Sequence, residues 1–130
     1  MGVIMILSGL LSTMNVWADS VADVRLSLND AYMIALMTGW MYLFMGLYYG
    51  DRWMGVAGAL LAAGSLWAIR TQFLVTSRQF VLGMIPHHSM AVLMSKRLLE
   101  KEAEEDPRLA EFATGIIKQQ EAEIAFMKSL

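Results

Sequence analysis

The second half of the chain contains a stretch that reads Met84-Ile85-Pro86-His87-His88-Ser89-Met90-Ala91-Val92-Leu93-Met94. It holds both histidines of the chain and three of its 12 methionines. Because proline lacks a backbone N–H and has a fixed φ, Pro86 suits the first turn of a helix, where that donor has no partner. The stretch therefore predicts a helix that begins near Pro86, with His87 and His88 in its first turn.

The methionines of this stretch lie at helical distances from the histidines. Met84 comes about one turn before them, and Met90 and Met94 follow about one and two turns after. Imidazole nitrogen together with thioether sulfur, without cysteine, is a donor set that suits copper, and Cu(I) above all. An alternative stays open, because adjacent side chains point about 100° apart on a helix and methionines at this spacing commonly fill a core.

Charge divides the chain into two parts. Residues 1–69 carry two arginines and four aspartates, whereas residues 70–130 carry eight basic and eight acidic side chains. The whole chain is 57% hydrophobic. We therefore expect an all-α membrane protein, with transmembrane helices in residues 1–69 and a helical domain in residues 70–130. The formal net charge of −2 gives no electrostatic basis for nucleic-acid binding, and the absence of cysteine excludes disulfides and thiol chemistry.

Three apolar segments predict two to three membrane-spanning helices, at about residues 1–17, 31–49 and 53–69. The second is the clearest, since it has about 19 apolar residues and ends in an aromatic belt of Tyr48, Tyr49 and Trp53. The first segment has two interpretations. We favour a retained span, and the alternative is a signal peptide cleaved after Ala18. Residues 18–30 form a short polar connector in which Ser27 or Asn29 can cap the next helix.

The second and third spans are expected to form a hairpin in the membrane. Gly50 is suited to end one helix and Asp51 to cap the next. Small residues recur every four positions along the third span, which allows close helix packing. They form two rows, Gly55, Ala59 and Ala63, and Gly58 and Ala62.

The second span carries a methionine stripe, Met33, Met37, Met41 and Met45. One interpretation is a ladder of thioethers that passes or senses copper across the bilayer. The interpretation that we favour is packing or lipid contact. The stripe contains no ionisable side chain, so it gives no support for a proton relay.

The polar half predicts a second, antiparallel helical hairpin. Residues 70–84 are compatible with a continuation of the third helix as far as Pro86. A helix is then expected from Pro86 to about residue 103, followed by the turn Glu104-Glu105-Asp106-Pro107 and a last helix to about Lys128. Asp106 as N-cap and Pro107 at the first helical position are a firm start signal. The apolar stripes of the two helices should pack together.

The hairpin returns a distant methionine to the histidines. With its turn near residue 107, His87 is level with Met127, Met90 with Ile124, and Met94 with Gln120. The first choices for metal ligands are His87, His88, Met84 and Met127, with Met90 and Met94 as further candidates. Gln120 interrupts the apolar stripe, so we expect it to hydrogen-bond across the interface or in the second shell of a ligand. Glu123 is a further second-shell candidate, and we expect Glu121 and Glu123 to be solvated or interfacial instead of ligands.

Two motifs resemble the domain-of-unknown-function 305 family. They are the stretch Met84–Val92 and the later Ile116-Ile117-Lys118-Gln119-Gln120-Glu121-Ala122-Glu123-Ile124-Ala125-Phe126-Met127. The resemblance covers about residues 70–130 and implies a small helical protein of ferritin-like type, periplasmic or membrane-anchored. Some members are linked to copper or silver binding and tolerance. The hydrophobic first half, with Arg70-Thr71-Gln72 after its last span, resembles the membrane-embedded branch of the family.

The side of the membrane is open at this point. The resemblance implies a bacterial inner membrane with the C-terminal domain in the periplasm. The positions of Arg25, Arg70 and Arg78 instead favour a cytoplasmic C-terminal domain by the positive-inside rule.

Taken together, the residues and the resemblance predict a membrane-anchored protein that binds Cu(I) through His and Met ligands, for homeostasis, delivery or tolerance. Catalysis is not expected, because neither histidine follows a glutamate by three residues, as di-iron sites require, and Ser89 beside His88 is too little for a hydrolytic centre. The alternative is a non-catalytic accessory subunit of a larger membrane assembly or a homo-oligomer, with the lipid bilayer as a further partner.

Overall fold

The computed structural model describes residues 2–102 and 106–130, and within these ranges every regular element is helical. The all-α prediction is therefore confirmed for the described part of the chain. Two short 3-10 helices, Met14–Trp17 and Val21–Asp23, lie between the first two α-helices. The α-helices are α1 (Gly2–Leu11), α2 (Leu28–Tyr49), α3 (Arg52–Thr71), α4 (Ser77–Glu102) and α5 (Pro107–Lys128).

The chain forms two compact units. The first contains the residues up to Thr13 and Ser27–Gln79, and the second contains Met14–Leu26 and the described part of Phe80–Leu130. Residues 14–26, called the connecting segment below, therefore belong to the same unit as α4 and α5. By sequence, these residues fall partly in the first apolar segment and partly in the polar connector, which does not indicate this partnership.

The turn between α2 and α3 follows its local signals. Gly50 ends α2 in the left-handed region, with φ of 70°, and its N–H donates to the carbonyl of Gly46. The carboxylate of Asp51 accepts hydrogen bonds from the backbone N–H groups of Trp53 and Met54, at 3.1 and 3.2 Å. These are the predicted C-cap and N-cap. Each satisfies backbone groups that a helix end leaves without a partner.

Glycines allow α2 and α3 to pack at very short range. A Cβ atom built on Gly39 would lie 2.6 Å from the backbone nitrogen of Ala62, so only glycine fits there. On α3, Gly58 and Ala62 are buried in this contact, as predicted, whereas Ala59 and Ala63 are exposed. The contact face thus contains Gly58 and Ala62 of one predicted row and Gly55 of the other, since a Cβ atom built on Gly46 would overlap the backbone of Gly55.

Two helices, α2 and α3, have the length and apolar composition that crossing a membrane requires. The first helix, α1, has ten residues and packs against α2 through Gly9 and Ile34. It is shorter than the segment 1–17 for which a span was predicted, and at 1.5 Å per residue it is about half the thickness of a bilayer core. A membrane crossing by residues 1–17 stays a prediction.

The predicted continuation of the third helix to Pro86 is wrong. The helix ends at Thr71, Gln72 and Leu74 adopt positive φ values of 51° and 59°, and α4 begins at Ser77. The side-chain amide of Gln72 donates to the carbonyl of Ile69 and to the amide oxygen of Asn29, both at 2.9 Å. Because these bonds include a residue 43 positions away, helical periodicity alone could not reveal the break.

The predicted helix start at Pro86 is also wrong. Pro86 lies inside α4, fully buried, so the histidines are in the middle of a helix instead of its first turn. An interior proline removes one helical hydrogen bond. Here its ring belongs to the packed interior, and a proline inside a helix cannot be told from a starting proline by local signals alone.

The start of α5 agrees with its local signals. The carboxylate of Asp106 accepts a hydrogen bond from the N–H of Arg108 at 3.0 Å, and Pro107 is the first helical residue. The other two residues of the predicted turn, 104 and 105, and the predicted helix end at residue 103 lie outside the described residues.

The second unit is built around contacts between α4 and α5. Ile85 and Val92 of α4 form a buried cluster with Ile124 and Met127 of α5. Val81, Met84 and Ile117 pack against this cluster. The packing joins an early part of α4 to the last part of α5, as the predicted antiparallel hairpin requires.

Candidate functional site

His88 is held in one orientation by its own helix. Its Nδ1 lies 2.9 Å from the carbonyl oxygen of Met84, one turn earlier. A carbonyl can only accept, so Nδ1 carries the hydrogen in this contact. The ring is 87% buried, since its side chain is 13% exposed. This backbone bond fixes the orientation of the ring and directs Nε2 away from the Met84 carbonyl.

Nε2 of His88 faces a carboxylate from α5. It lies 2.6 Å from Oε2 of Glu123, while Oε1 of Glu123 is 3.4 Å from the side-chain nitrogen of Gln119. A carboxylate at this distance from a ring nitrogen shares a proton with it. A metal ion that binds Nε2 must replace this proton, and Glu123 then becomes a neighbouring oxygen donor.

The structure brings together part of the predicted ligand set. Met84 and Met127 pack in or against the same core cluster, and Met84 also provides the carbonyl that orients His88. His87 is exposed, and its ring meets that of His88 edge-on, with the centroids 6.2 Å apart at an interplanar angle of 63°. This is the divergence expected of adjacent residues on a helix.

The other predicted residues are less central. Met94 is 54% exposed, and Met90 and Gln120 are partly buried. Glu123, predicted for the second shell, is in direct contact with His88. The methionine stripe lies on α2, where Met33 is exposed and Met37, Met41 and Met45 are partly buried. Its role stays a prediction.

The His, Asp and Glu side chains of the described residues do not form a complete metal site by themselves. Within residues 2–102 and 106–130, no group of three or more His, Cys, Asp or Glu side chains is arranged to hold a metal ion. A metal at His88 would therefore need donors beyond His88 and Glu123. Thioethers, which Met84 and Met127 bring to the adjoining core cluster, are donors of a kind that suits a soft ion.

A buried hydrogen-bond network lies directly beside this position, and sequence reasoning missed it. The hydroxyl of Ser89 is fully buried, donates to Oδ2 of Asp23 at 2.7 Å and accepts from the N–H of Asp19 at 2.7 Å. Asp23 also accepts from Nζ of Lys128, and Asp19 accepts from Nζ of Lys96 at 2.8 Å. The signal in the sequence was the pair of aspartates, Asp19 and Asp23, in a short connector.

The charges of the network are mutually stabilised. Burial of Asp23 by itself raises the pKa of that carboxyl, but hydrogen bonds from Lys128 and Ser89 and the charges of Lys128 and Arg25 outweigh it, so the pKa is lowered overall. The hydrogen bond from Lys96 to Asp19 raises the pKa of the Lys96 ammonium group. Both groups therefore remain charged at neutral pH, which keeps the connecting segment attached to α4 and α5.

The comparisons with known proteins identify the family. The profile of the Domain of unknown function (DUF305) family matches residues 65–130, which include all of α4 and α5. The chain belongs to the domain-of-unknown-function 305 family. It is also 43% identical over 128 residues to an uncharacterized protein of Acanthamoeba polyphaga mimivirus, and the match covers 95% of this chain and 83% of that protein. No solved structure gives a significant match.

The family match agrees with the two motifs on which the resemblance was recognised. His88 and Ser89 come from the first motif, and Glu123 and Met127 come from the second. The two motifs of this family member thus meet across the contact between α4 and α5.

Proposed function

We propose that this member of the family is a membrane-anchored protein that binds copper, as Cu(I), for homeostasis, delivery or tolerance of the ion. The observation that carries the proposal is the orientation of His88. Its Nδ1 is held by the Met84 carbonyl and its Nε2 points to Glu123, beside a cluster that contains Met127. A bond from Nδ1 to a backbone carbonyl is the orientation in which metal-binding histidines are commonly held, with Nε2 directed toward the ion.

The proposed ligands are Nε2 of His88 and the thioethers of Met84 and Met127. Imidazole and thioether donors together are a soft set, which favours Cu(I) over hard ions. Glu123 lies where it can accept the displaced proton or donate an oxygen to the ion. Met90 and Met94 are further candidates, and His87, being exposed, is placed to receive or release the ion instead of holding it.

The membrane anchor is assigned to α2 and α3. Both helices are long and apolar enough to cross a bilayer, and they expose large apolar side chains, including Phe44, Leu47 and Leu60. Leu47 is 71% exposed, which is unfavourable in water and favourable in lipid. The mimivirus relative gives no support for the expected bacterial inner membrane or the periplasmic side, so the proposal is limited to a lipid bilayer.

The test is an anaerobic Cu(I) titration of the detergent-purified protein against a chromophoric competing chelator. His88→Ala is compared with His87→Ala, a matched control on the adjacent residue. We expect His88→Ala to weaken binding at least about tenfold, which corresponds to about 1.4 kcal/mol, and His87→Ala to have a smaller effect. Absence of tight binding by the wild-type protein would reject the copper proposal.

A second candidate function is that of a non-catalytic accessory subunit. It is favoured by the aromatic side chains that α5 exposes, Phe112 and Phe126, which are the kind of residue that anchors protein contacts. Size-exclusion chromatography with light scattering, on protein extracted in mild detergent from its native membrane, separates the two. A stable complex larger than the monomer, together with no copper binding, would favour the subunit.

A further inference from the structure

The connecting segment, residues 14–26, directs its polar groups inward. Asp23 is buried and bonded to Ser89 and Lys128, and the N–H of Asp19 donates to Ser89. The carboxylate of Asp19 is bonded to Lys96. The aspartates that made this segment look like a solvated connector are thus used to attach it to α4 and α5.

The apolar side chains of the same segment point outward. Val21 is 89% exposed and Val16 is 65% exposed. Trp17, Val24 and Leu26 are exposed as well. A loop in water normally has the opposite arrangement, with apolar groups on the protein and charges in solvent. An exposed cluster of this size marks a contact with another apolar phase.

We propose that the connecting segment lies in the interfacial layer of the lipid bilayer, where Val16, Trp17, Val21 and Leu26 enter the boundary between headgroups and acyl chains. This inference rests on the membrane part of the proposed function. Continuity of the chain supports it, because the segment ends at Leu26 and the candidate span α2 begins at Leu28. Tryptophan is also a side chain that prefers this layer.

The segment carries one cation that suits a lipid headgroup. Lys128 pairs with Asp23, and Lys96 pairs with Asp19 and, at 3.6 Å, with Glu121. The cation is Arg25, which also interacts with the charge of Asp23 and whose Nη1 donates to the carbonyls of Ala22 and Val24 at 2.7 Å. A cation beside exposed apolar side chains matches an anionic phosphate above acyl chains.

The test uses site-directed spin labels, since the chain contains no cysteine. Val21→Cys carries the label at the most exposed position of the segment, where a new side chain disturbs no packing. Leu60→Cys on α3 is the reference for lipid, and Lys118→Cys on α5 is the reference for water. The full-length protein is placed in nanodiscs of phosphatidylcholine and phosphatidylglycerol, and power saturation compares access of oxygen, which concentrates in lipid, with that of a polar nickel chelate.

We expect the ratio of oxygen to nickel access at residue 21 to lie between the two references, with a clear loss of nickel access relative to residue 118. A ratio equal to that at residue 118 would overturn the inference and leave the membrane anchor intact. Low access of both reagents would also overturn it, because the segment would then be covered by protein. If the ratio of oxygen to nickel access at residue 60 equalled that at residue 118, the assignment of α3 to the membrane would fail. That outcome would be distinct from failure of the inference about the connecting segment alone.

Discussion

The hydroxyl of Ser89 donates a hydrogen bond of 2.7 Å to Asp23, which lies 66 residues earlier in the chain, and the serine is fully buried. This bond joins the connecting segment to the helix that carries His88. His88 and Ser89 are adjacent, so they leave α4 in different directions. One faces Glu123 of α5 and the other faces the connecting segment. The candidate metal ligand and the attachment point of the segment therefore share one turn of helix.

Ser89→Ala is expected to destabilise the second unit by about 1–3 kcal/mol, because Oδ2 of Asp23 loses its donor and the N–H of Asp19 loses its acceptor, while Lys128 still bonds Oδ1 of Asp23. The measurement is thermal unfolding in detergent, followed by circular dichroism. Ser129→Ala is the control, since its hydroxyl bonds to the carbonyl of Phe126 at an exposed position. Equal melting temperatures for the two variants would contradict the role assigned to Ser89.

Asp23 should make stability depend on acid pH. Its pKa is lowered in the folded protein, so its stabilisation is present above the unfolded value of about 3.9 and is lost as the pH falls through the folded pKa. Denaturant titrations from about pH 6 to about pH 2.5 should show that the free energy of unfolding decreases below about pH 4.

Asp23→Asn should remove part of that decrease and should lower stability at neutral pH, because Lys128 then loses its charged partner. Asp106→Asn is a useful comparison, since the pKa of Asp106 is also lowered, first by a hydrogen bond from Arg108, yet the residue lies at the start of α5 instead of in the buried network. An Asp23→Asn protein with the full wild-type pH dependence would rule out the proposed linkage.

Met127→Leu separates core packing from metal binding. Met127 is buried with Ile85 and Ile124, and leucine has a similar volume, so the free energy of unfolding should change by less than about 1.5 kcal/mol. Leucine has no sulfur, so Cu(I) affinity should fall by about tenfold or more if Met127 is a ligand. Chelator competition and thermal unfolding on the same preparation give both values. An unchanged Cu(I) affinity would remove Met127 from the ligand set.

Gly39→Ala should separate α2 from α3. The added Cβ would lie 2.6 Å from the nitrogen and 2.9 Å from the Cα atom of Ala62, and backbone atoms cannot move aside as a flexible side chain can. We expect a loss of about 1–3 kcal/mol. Gly64→Ala on α3 is the matched control, because a Cβ there meets no atom within 4 Å and alanine is the better helix former. The measurement is the melting temperature of both variants in the same detergent. Equal melting temperatures for Gly39→Ala and Gly64→Ala would show that the close contact between Gly39 and Ala62 is not required for stability.

Local chemistry determined much of this protein. The period of the apolar residues indicated an all-α chain, because the 3.6-residue repeat is a property of each helix alone. Gly50 and Asp51 marked one turn, and Asp106 and Pro107 marked the start of α5, since caps act through backbone groups only a few residues away. The two family motifs could also be recognised in the sequence, and the family profile matches the region that contains them.

Only the tertiary structure decided the rest. Pro86 by itself predicts a helix start, but packing buries it inside α4. The end of α3 involves the hydrogen bond between Gln72 and Asn29, which are far apart in the chain. The equal-height pairing of residues in an antiparallel hairpin predicts that Met127 lies within about one turn of the histidines. It could not select Glu123 as the partner of His88, because the direction of a side chain depends on how the two helices are rotated about their axes. The bond between Ser89 and Asp23 joins residues that no local rule connects. It forms because a buried hydroxyl and a buried carboxylate each require a partner, and the fold places them within reach.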